Sequence, residues 1–245
     1  MQIIYGINPL LEYLEKDAGK VVKIVIARGR GGAPLQRILN LAGQKGIGTE
    51  IRDRASLDRL AGQKSHQGVV GICQTVAQAG IEDILTGKGE QPERELVLIL
   101  DGITDPRNLG ALIRTAHCCG AGGVIVPQNR SASVTGTVAK VSAGAVNYIP
   151  VAIAANLSRA IDLMKQRGFW IYGADAAEGK AVYDLDYECP VGLIMGSEGK
   201  GMRSLIKSKC DFLVAIPMLG RIDSLNVSVA AGIIMYEIMR KRGLI

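Results

Sequence analysis

No stretch of this 245-residue sequence is apolar for long enough to span a bilayer, which argues against a helical membrane protein. Its opening, MQIIYGINPLLEYLEKD, carries acids where a secretory leader has a basic head and an apolar centre, so a cytoplasmic protein is expected. None of the five cysteines, Cys73, Cys118, Cys119, Cys189 and Cys210, falls in a CxxC or Cys/His metal spacing, and the adjacent pair is awkward for a bridge. Reduced, mostly buried thiols and no metal site are expected. There are two histidines, His66 and His117, and neither lies in a loop with other reactive groups, which leaves little basis for histidine acid/base chemistry. The GxGxxG fingerprint of dinucleotide dehydrogenases is missing, and GSEGKGM is not a Walker A loop, because no glycine stands four residues ahead of a Gly-Lys-Ser/Thr. Internal repeats and low-complexity segments are also absent.

What is present is ordinary globular material, 48% hydrophobic and 21% charged, with 31 glycines for many short loops. The net charge of +6 is uneven: residues 1–76 hold 11 Lys and Arg against 6 Asp and Glu, and residues 77–245 hold 18 against 17. A basic excess in the smaller part suits a polyanion, most simply nucleic acid; charge alone is equally consistent with a solvated basic surface.

Along the chain, Asn8 as cap and Pro9 at the first helical position announce a short helix with Leu10, Leu11 and Leu14 turned inward. A strand over 21–29, a helix over 34–46, a strand TEIRD, a short helix SLDRLAG and a strand over 68–76 complete a small α/β domain, residues 1–76. Its loop Arg28-Gly-Arg-Gly-Gly is flexible and basic. Residues 77–93 gather Gly, Pro and acids and read as a linker, with room for one helical turn. From 94 to 245 strands and helices alternate, which predicts a mostly parallel sheet covered on both faces, with ligands at the C-terminal ends of its strands.

Three strand ends carry polar loops. In DPRNLGALIRTA, Asn108 and Arg114 lie about two helical turns apart, and Arg114 sits among apolar residues that would partly sequester its cation; a structural carboxylate or a ligand anion would answer it equally well. GSEGKGM follows a strand, leaves the backbone free at Gly196, Gly199 and Gly201, and holds one acid, Glu198. IPMLGRIDSLNVSVAAG joins a strand to a long helix predicted to start at Ser224, capped by Asp223 or Ser224, with an apolar stripe of Leu225, Val229, Gly232, Ile233, Tyr236 and Ile238 to Met239.

Together, DGITDPRNLGALIRTA, IMGSEGKGM and IPMLGRIDSLNVSVAAG resemble the three motifs of the SpoU (TrmH-like) branch of the SPOUT RNA 2′-O-ribose methyltransferases, over about residues 95–245. YGINPLLEYLE and SHQGVVG resemble the substrate-binding domain, related to ribosomal protein L30e, that precedes the catalytic domain in RlmB-type members acting on a guanosine of 23S ribosomal RNA. The resemblance implies an α/β SPOUT domain with a trefoil knot, a homodimer, and S-adenosyl-L-methionine held at Gly196, Ile216, Met218, Leu219 and Leu225. It assigns catalysis to Arg114, and substrate orientation and pocket shape to Asn108, Glu198, Ser224 and Asn226. The alternatives are a transfer-RNA ribose methyltransferase and a non-catalytic RNA-binding protein. On the same reading His66 supports the first domain or its RNA surface, and His117 packs its helix.

Overall fold

A computed structural model describes residues 2–62, 65–73, 79–86, 95–221 and 223–245. The chain divides into two compact units: 1–77 with 133–147, and 78–132 with 148–245. The segment 133–147, expected in the second domain, therefore goes with the first.

Unit 1 is a four-stranded sheet of order β1-β4-β2-β3, made of β1 (Gln2–Tyr5), β2 (Val21–Ala27), β3 (Gly48–Arg52) and β4 (Val69–Cys73). The alternation of β2 sends Ile24 and Ile26 to one core, with Leu10, Leu14 and Ile38, and Val25 and Ala27 to another, with Tyr5, Leu57 and Val70. Helices α1 (Ile7–Asp17) and α2 (Ala33–Gln44) serve the first core and α3 (Arg54–Ala61) the second. Strand β1 was not expected; it pairs antiparallel with β4, Ile3 opposite Ile72. Helix α1 begins before Asn8, with Gly6 at the cap position, because Gln67 Oε1 accepts the Ile7 N–H at 2.9 Å and replaces a local cap. Residues 74–76 of the strand expected over 68–76 lie outside the described residues. His66 is fully buried, as a fold-supporting role requires.

Within the expected linker, α4 (Ile81–Leu85) buries Ile84 and Leu85 in the core of unit 2, and Ala79 bridges to Ala152; residues 87–93 lie outside the described residues. The sheet of unit 2 is parallel throughout, in the order β7-β6-β5-β10-β8-β11-β9. Its strands are β5 (Leu96–Asp101), β6 (Gly123–Pro127), β7 (Val151–Ala154), β8 (Trp170–Ala174), β9 (Lys180–Ala181), β10 (Val191–Gly196) and β11 (Phe212–Ala215). Every residue of β5 is buried, as its unbroken apolar run requires of a central strand. One face is covered by α7 (Leu157–Gln166), whose Leu157, Ile161 and Met164 meet Ile99, Ile171 and Ile194. Helices α5 (Pro106–Cys118) and α9 (Val227–Lys241) pack on each other, where a side-chain carbon at Gly232 would lie 3.6 Å from Thr115 Cγ2. Of the remaining helices, α6 (Gly136–Val141) packs on β1 and α8 (Ser204–Lys207) precedes β11.

The last helix corrects the sequence reading twice. It starts at Val227, with Asn226 as cap accepting the Ser228 N–H at 3.0 Å, so Asp223 and Ser224 stay in the preceding loop. It also buries Val227, Ala231, Ile234 and Met235 along with Ile238 of the expected stripe, while Val229, Ile233 and Tyr236 of that stripe face outward at 50%, 41% and 48% exposure. The helix is apolar on two sides, and only one is used by its own unit. His117, expected to pack its helix, is on the surface stacked on Tyr148. All five cysteines are free; Cys118 and Cys189 are exposed, and burial pushes the Cys73 thiol up to about 12.

Candidate functional site

Beyond the C-terminal ends of the neighbouring strands β10, β8 and β11 lies a cavity of about 590 Å³, the size of a small-molecule site and in the place an open parallel sheet offers one. One wall is the turn after β10. Ser197 and Gly201 exchange two backbone hydrogen bonds there, 3.0 and 2.8 Å, folding the turn back so tightly that a side-chain carbon on Gly196 would lie 2.3 Å from Gly201 C. Gly199 and Gly201 take positive φ, 78° and 65°, which L side chains resist. The opposite wall is the loop after β11 and the start of α9, bringing Ile216, Met218, Ser224, Leu225 and Asn226.

The three polar loops meet through one hydrogen-bonded cluster. Glu198 Oε1 accepts from Asn108 Nδ2 at 2.9 Å and from Asn226 Nδ2 at 2.7 Å; the latter also reaches Asn108 Oδ1 at 3.1 Å. Asn226 Oδ1 is meanwhile fixed by the N–H and hydroxyl of Ser228. Asn226 thus closes the helix end and ties it to Asn108, 118 residues away in sequence, and to Glu198, 28 residues away. Glu198 holds two amides, so its charge is positioned but not neutralised.

Of the residues singled out from the sequence, Gly196, Glu198, Ile216, Met218, Ser224, Leu225 and Asn226 line the cavity, and Asn108 reaches it through the cluster. Leu219 does not; it is fully exposed and lines a neighbouring hollow with Tyr183, Ile233 and Tyr236. Arg114 does not line the cavity either. Its side chain is exposed, contrary to the expected sequestration, and has no hydrogen bond or ion pair with any described residue. The apolar neighbours that suggested burial face the core from the other side of α5, where Leu112, Ile113 and Ala116 are buried.

Two acids escaped the sequence reading. Asp175 ends β8 and lines the cavity; burial opposes its charge, but hydrogen bonds from Lys207 and from the N–H groups of Glu178 and Ala177 outweigh this and lower its pKa. Asp101, buried at the end of β5, accepts the Arg203 N–H at 2.9 Å and its Nε at 2.7 Å, tying the central strand to the residue that follows the glycine turn. The signal was available in both: each is an acid at the end of an apolar strand. Among the described residues no group of three or more His, Cys, Asp or Glu is placed to hold a metal, and no helix is long and apolar enough to cross a membrane.

The profile of the SpoU rRNA Methylase family matches residues 95–236, and that described as RNA 2′-O ribose methyltransferase substrate binding matches residues 3–79. The chain is 42% identical to YacO of Bacillus subtilis, assigned to the TrmH family of tRNA/rRNA methyltransferases, over 98% of this chain and 95% of that one. It is 40% identical to the 23S rRNA (guanosine-2′-O-)-methyltransferase RlmB of Pseudomonas aeruginosa, over 98% and 96%. Among solved structures, the SpoU methyltransferase AviRb from Streptomyces viridochromogenes in complex with the cofactor AdoMet superposes with a TM-score of 0.81 at 25% identity, covering 99% of this chain and 90% of that one.

Proposed function

The chain belongs to the SpoU rRNA Methylase family, and from that premise we propose that it methylates a ribose 2′-hydroxyl of 23S ribosomal RNA, on a guanosine of the peptidyl-transferase region, using S-adenosyl-L-methionine. The observation that carries the reading is the meeting of three strand-end loops at one cavity through Asn108, Glu198 and Asn226.

The residues present fit the cofactor. Ile216, Met218 and Leu225 offer an apolar slot for an adenine ring, Gly196 lines the cavity with backbone alone because the turn folds back into the place of its missing side chain, and the carboxylates of Asp175, Glu198 and Asp223 suit a ligand bearing sulfonium and ammonium charges. When bound, S-adenosylmethionine supplies an electrophilic methyl group on a sulfonium.

The chain's own residues then have separable tasks. The Asn226 amide is taken up by Glu198, Asn108 and Ser228 and so shapes the pocket, while Asn108, fixed by Glu198, keeps one N–H and one acceptor site, and Ser224 adds a hydroxyl, for orienting the ribose. Arg114 contributes a planar guanidinium cation. Its uncompensated cation holds an RNA phosphate and stabilises negative charge growing on the 2′-oxygen as the hydroxyl proton leaves to water.

The outward apolar face of α9 supports a homodimer seated on Val229, Ile233 and Tyr236. A second copy there offers an Arg114 to a cavity that its own chain does not bring it to. The reading places the protein in the cytoplasm, where ribosomal RNA is made. Transfer RNA is the second reading, favoured by the likeness to YacO. Mapping 2′-O-methyl sites in both RNAs after incubation with the purified chain and labelled cofactor decides between them: a single guanosine in 23S RNA supports the first, label in transfer RNA alone the second, and label in neither rejects both.

A further inference from the structure

Resting on the reading that the substrate is RNA, we propose that unit 1 carries a phosphodiester-binding hollow, built by Arg28, Arg30 and Arg54, that holds the RNA backbone. The hollow is about 560 Å³ and is formed by the loop after β2, the starts of α1 and α3, and the turn before β4. Three guanidinium side chains line it, and among the described residues no Asp or Glu does.

The neighbouring cations show the contrast. Lys23 and Arg52 share Glu50, at 2.7 and 2.5 Å, and Arg37 meets Glu15 at 2.6 Å. Arg28 and Arg54, by contrast, are exposed and make no side-chain hydrogen bond or ion pair with any described residue. The nearby acids are engaged elsewhere: Asp53 accepts the Ser56 N–H at 2.7 Å and Asp58 holds His66 at 2.9 Å. Like charges gathered in one concavity without a counter-charge repel one another, and an anion that enters relieves the repulsion.

One of the three is also held in place. Arg30 Nε donates to the carbonyl of Gln67 at 3.1 Å, and its stem lies over Gly68, where a side-chain carbon would come within 2.9 Å of Arg30 Cγ. This leaves its two terminal nitrogens without a partner among the described residues, the pair that bridges two oxygens of one phosphate. The turn that fixes it is itself over-determined. Gln67 sits at φ 56°, its side chain closes the N-terminus of α1, and buried His66 accepts the Gly68 N–H on Nδ1 at 3.1 Å while donating from Nε2 to Asp58. A non-glycine residue kept left-handed by three separate hydrogen bonds marks a pre-organised site.

The test uses the full chain and a transcript of the 23S peptidyl-transferase region, with binding read by fluorescence anisotropy from low to moderate salt. Removing both free cations, Arg28→Ala with Arg54→Ala, should weaken binding about tenfold or more and reduce the log–log salt slope by about 1.4 to 1.8, two contacts at roughly 0.7 to 0.9 each. Arg37→Ala, whose charge Glu15 already neutralises, should change the slope by less than half of that. Both altered positions are exposed, and equal thermal melting of the variants checks that the fold is kept. Wild-type affinity and slope in the double variant overturn the proposal. Methyl transfer measured on the same samples separates the two readings: transfer by wild type with unchanged binding in the double variant rejects the hollow alone. Binding that depends on Arg28 and Arg54 without any transfer supports the hollow and counts against the methyltransferase.

Discussion

Adding one carbon to Gly196 tests the cavity most directly. A Cβ there would lie 2.3 Å from Gly201 C and 2.4 Å from Met202 N, roughly 1 Å inside the separation at which carbon and its neighbours attract. Both obstacles are backbone, so no rotamer change relieves them, and the Ser197–Gly201 bonds oblige the turn to open as one piece. Overpacking of this kind costs about 1–3 kcal/mol, and losing two backbone hydrogen bonds adds about 1 kcal/mol each. The stiffer unfolded chain returns only about 0.4–1 kcal/mol. The cost must appear in one of two places. If the turn keeps its shape, the strain lowers the melting temperature by about 2–4 °C per kcal/mol for a chain of this size. If the turn retreats, the cavity wall retreats with it and S-adenosylmethionine binds about 5- to 150-fold more weakly, the equivalent of 1–3 kcal/mol. Calorimetry with the cofactor and thermal melts with and without it read both. Gly120→Ala is the control: φ is +67° and nothing lies within 4 Å, so it should cost stability through the backbone and leave cofactor affinity alone. A Gly196→Ala chain that melts and binds like wild type would refute the close-approach argument.

Arg114→Ala should slow single-turnover methyl transfer roughly 10²- to 10³-fold at saturating RNA with cofactor affinity unchanged, and Lys should rescue poorly because it lacks the planar fork; near-normal turnover rejects Arg114 as the catalytic group. Replacing Ile233 and Tyr236 together by Glu should yield a monomer in sedimentation, because these side chains lie on the unburied face of α9 and core packing does not need them; a double variant that sediments like wild type removes that face from the interface.

The three loops could be read from the sequence because each follows an apolar run that reads as a strand of a parallel sheet, and strand ends are where polar residues cannot be explained by packing. Asn108, Glu198 and Asn226 were found that way, although their direct contact was not, since hydrogen bonds across 90 and 118 residues leave no local trace. The last helix misled for a physical reason. Val229, Ile233 and Tyr236 are spaced as a buried stripe is, and periodicity cannot tell a face that meets the chain's own core from one left for another surface. Ser224 was a plausible cap by residue type, yet Asn226 took the role because its amide also had partners in Asn108 and Glu198. Strand β1 was missed because four residues at a terminus carry too little pattern, and its pairing with β4 is set from far along the chain.

The return of residues 133–147 to unit 1 bears on how the chain is made. Tyr5 Oη waits for Thr137 Oγ1, 2.9 Å away in the finished fold, and β1 and α1 wait for α6. During synthesis the ribosome must add about 56 residues after Ala77 before Ser133 emerges, a delay of roughly 3 to 11 s at 5–20 residues per second. Over that interval the amino-terminal unit is translated but unfinished, and β5, α5 and β6 are made before it can close. The order of birth and the order of completion therefore differ, and a nascent chain stalled before residue 133 should be markedly more open to protease near Tyr5 than one released past 147.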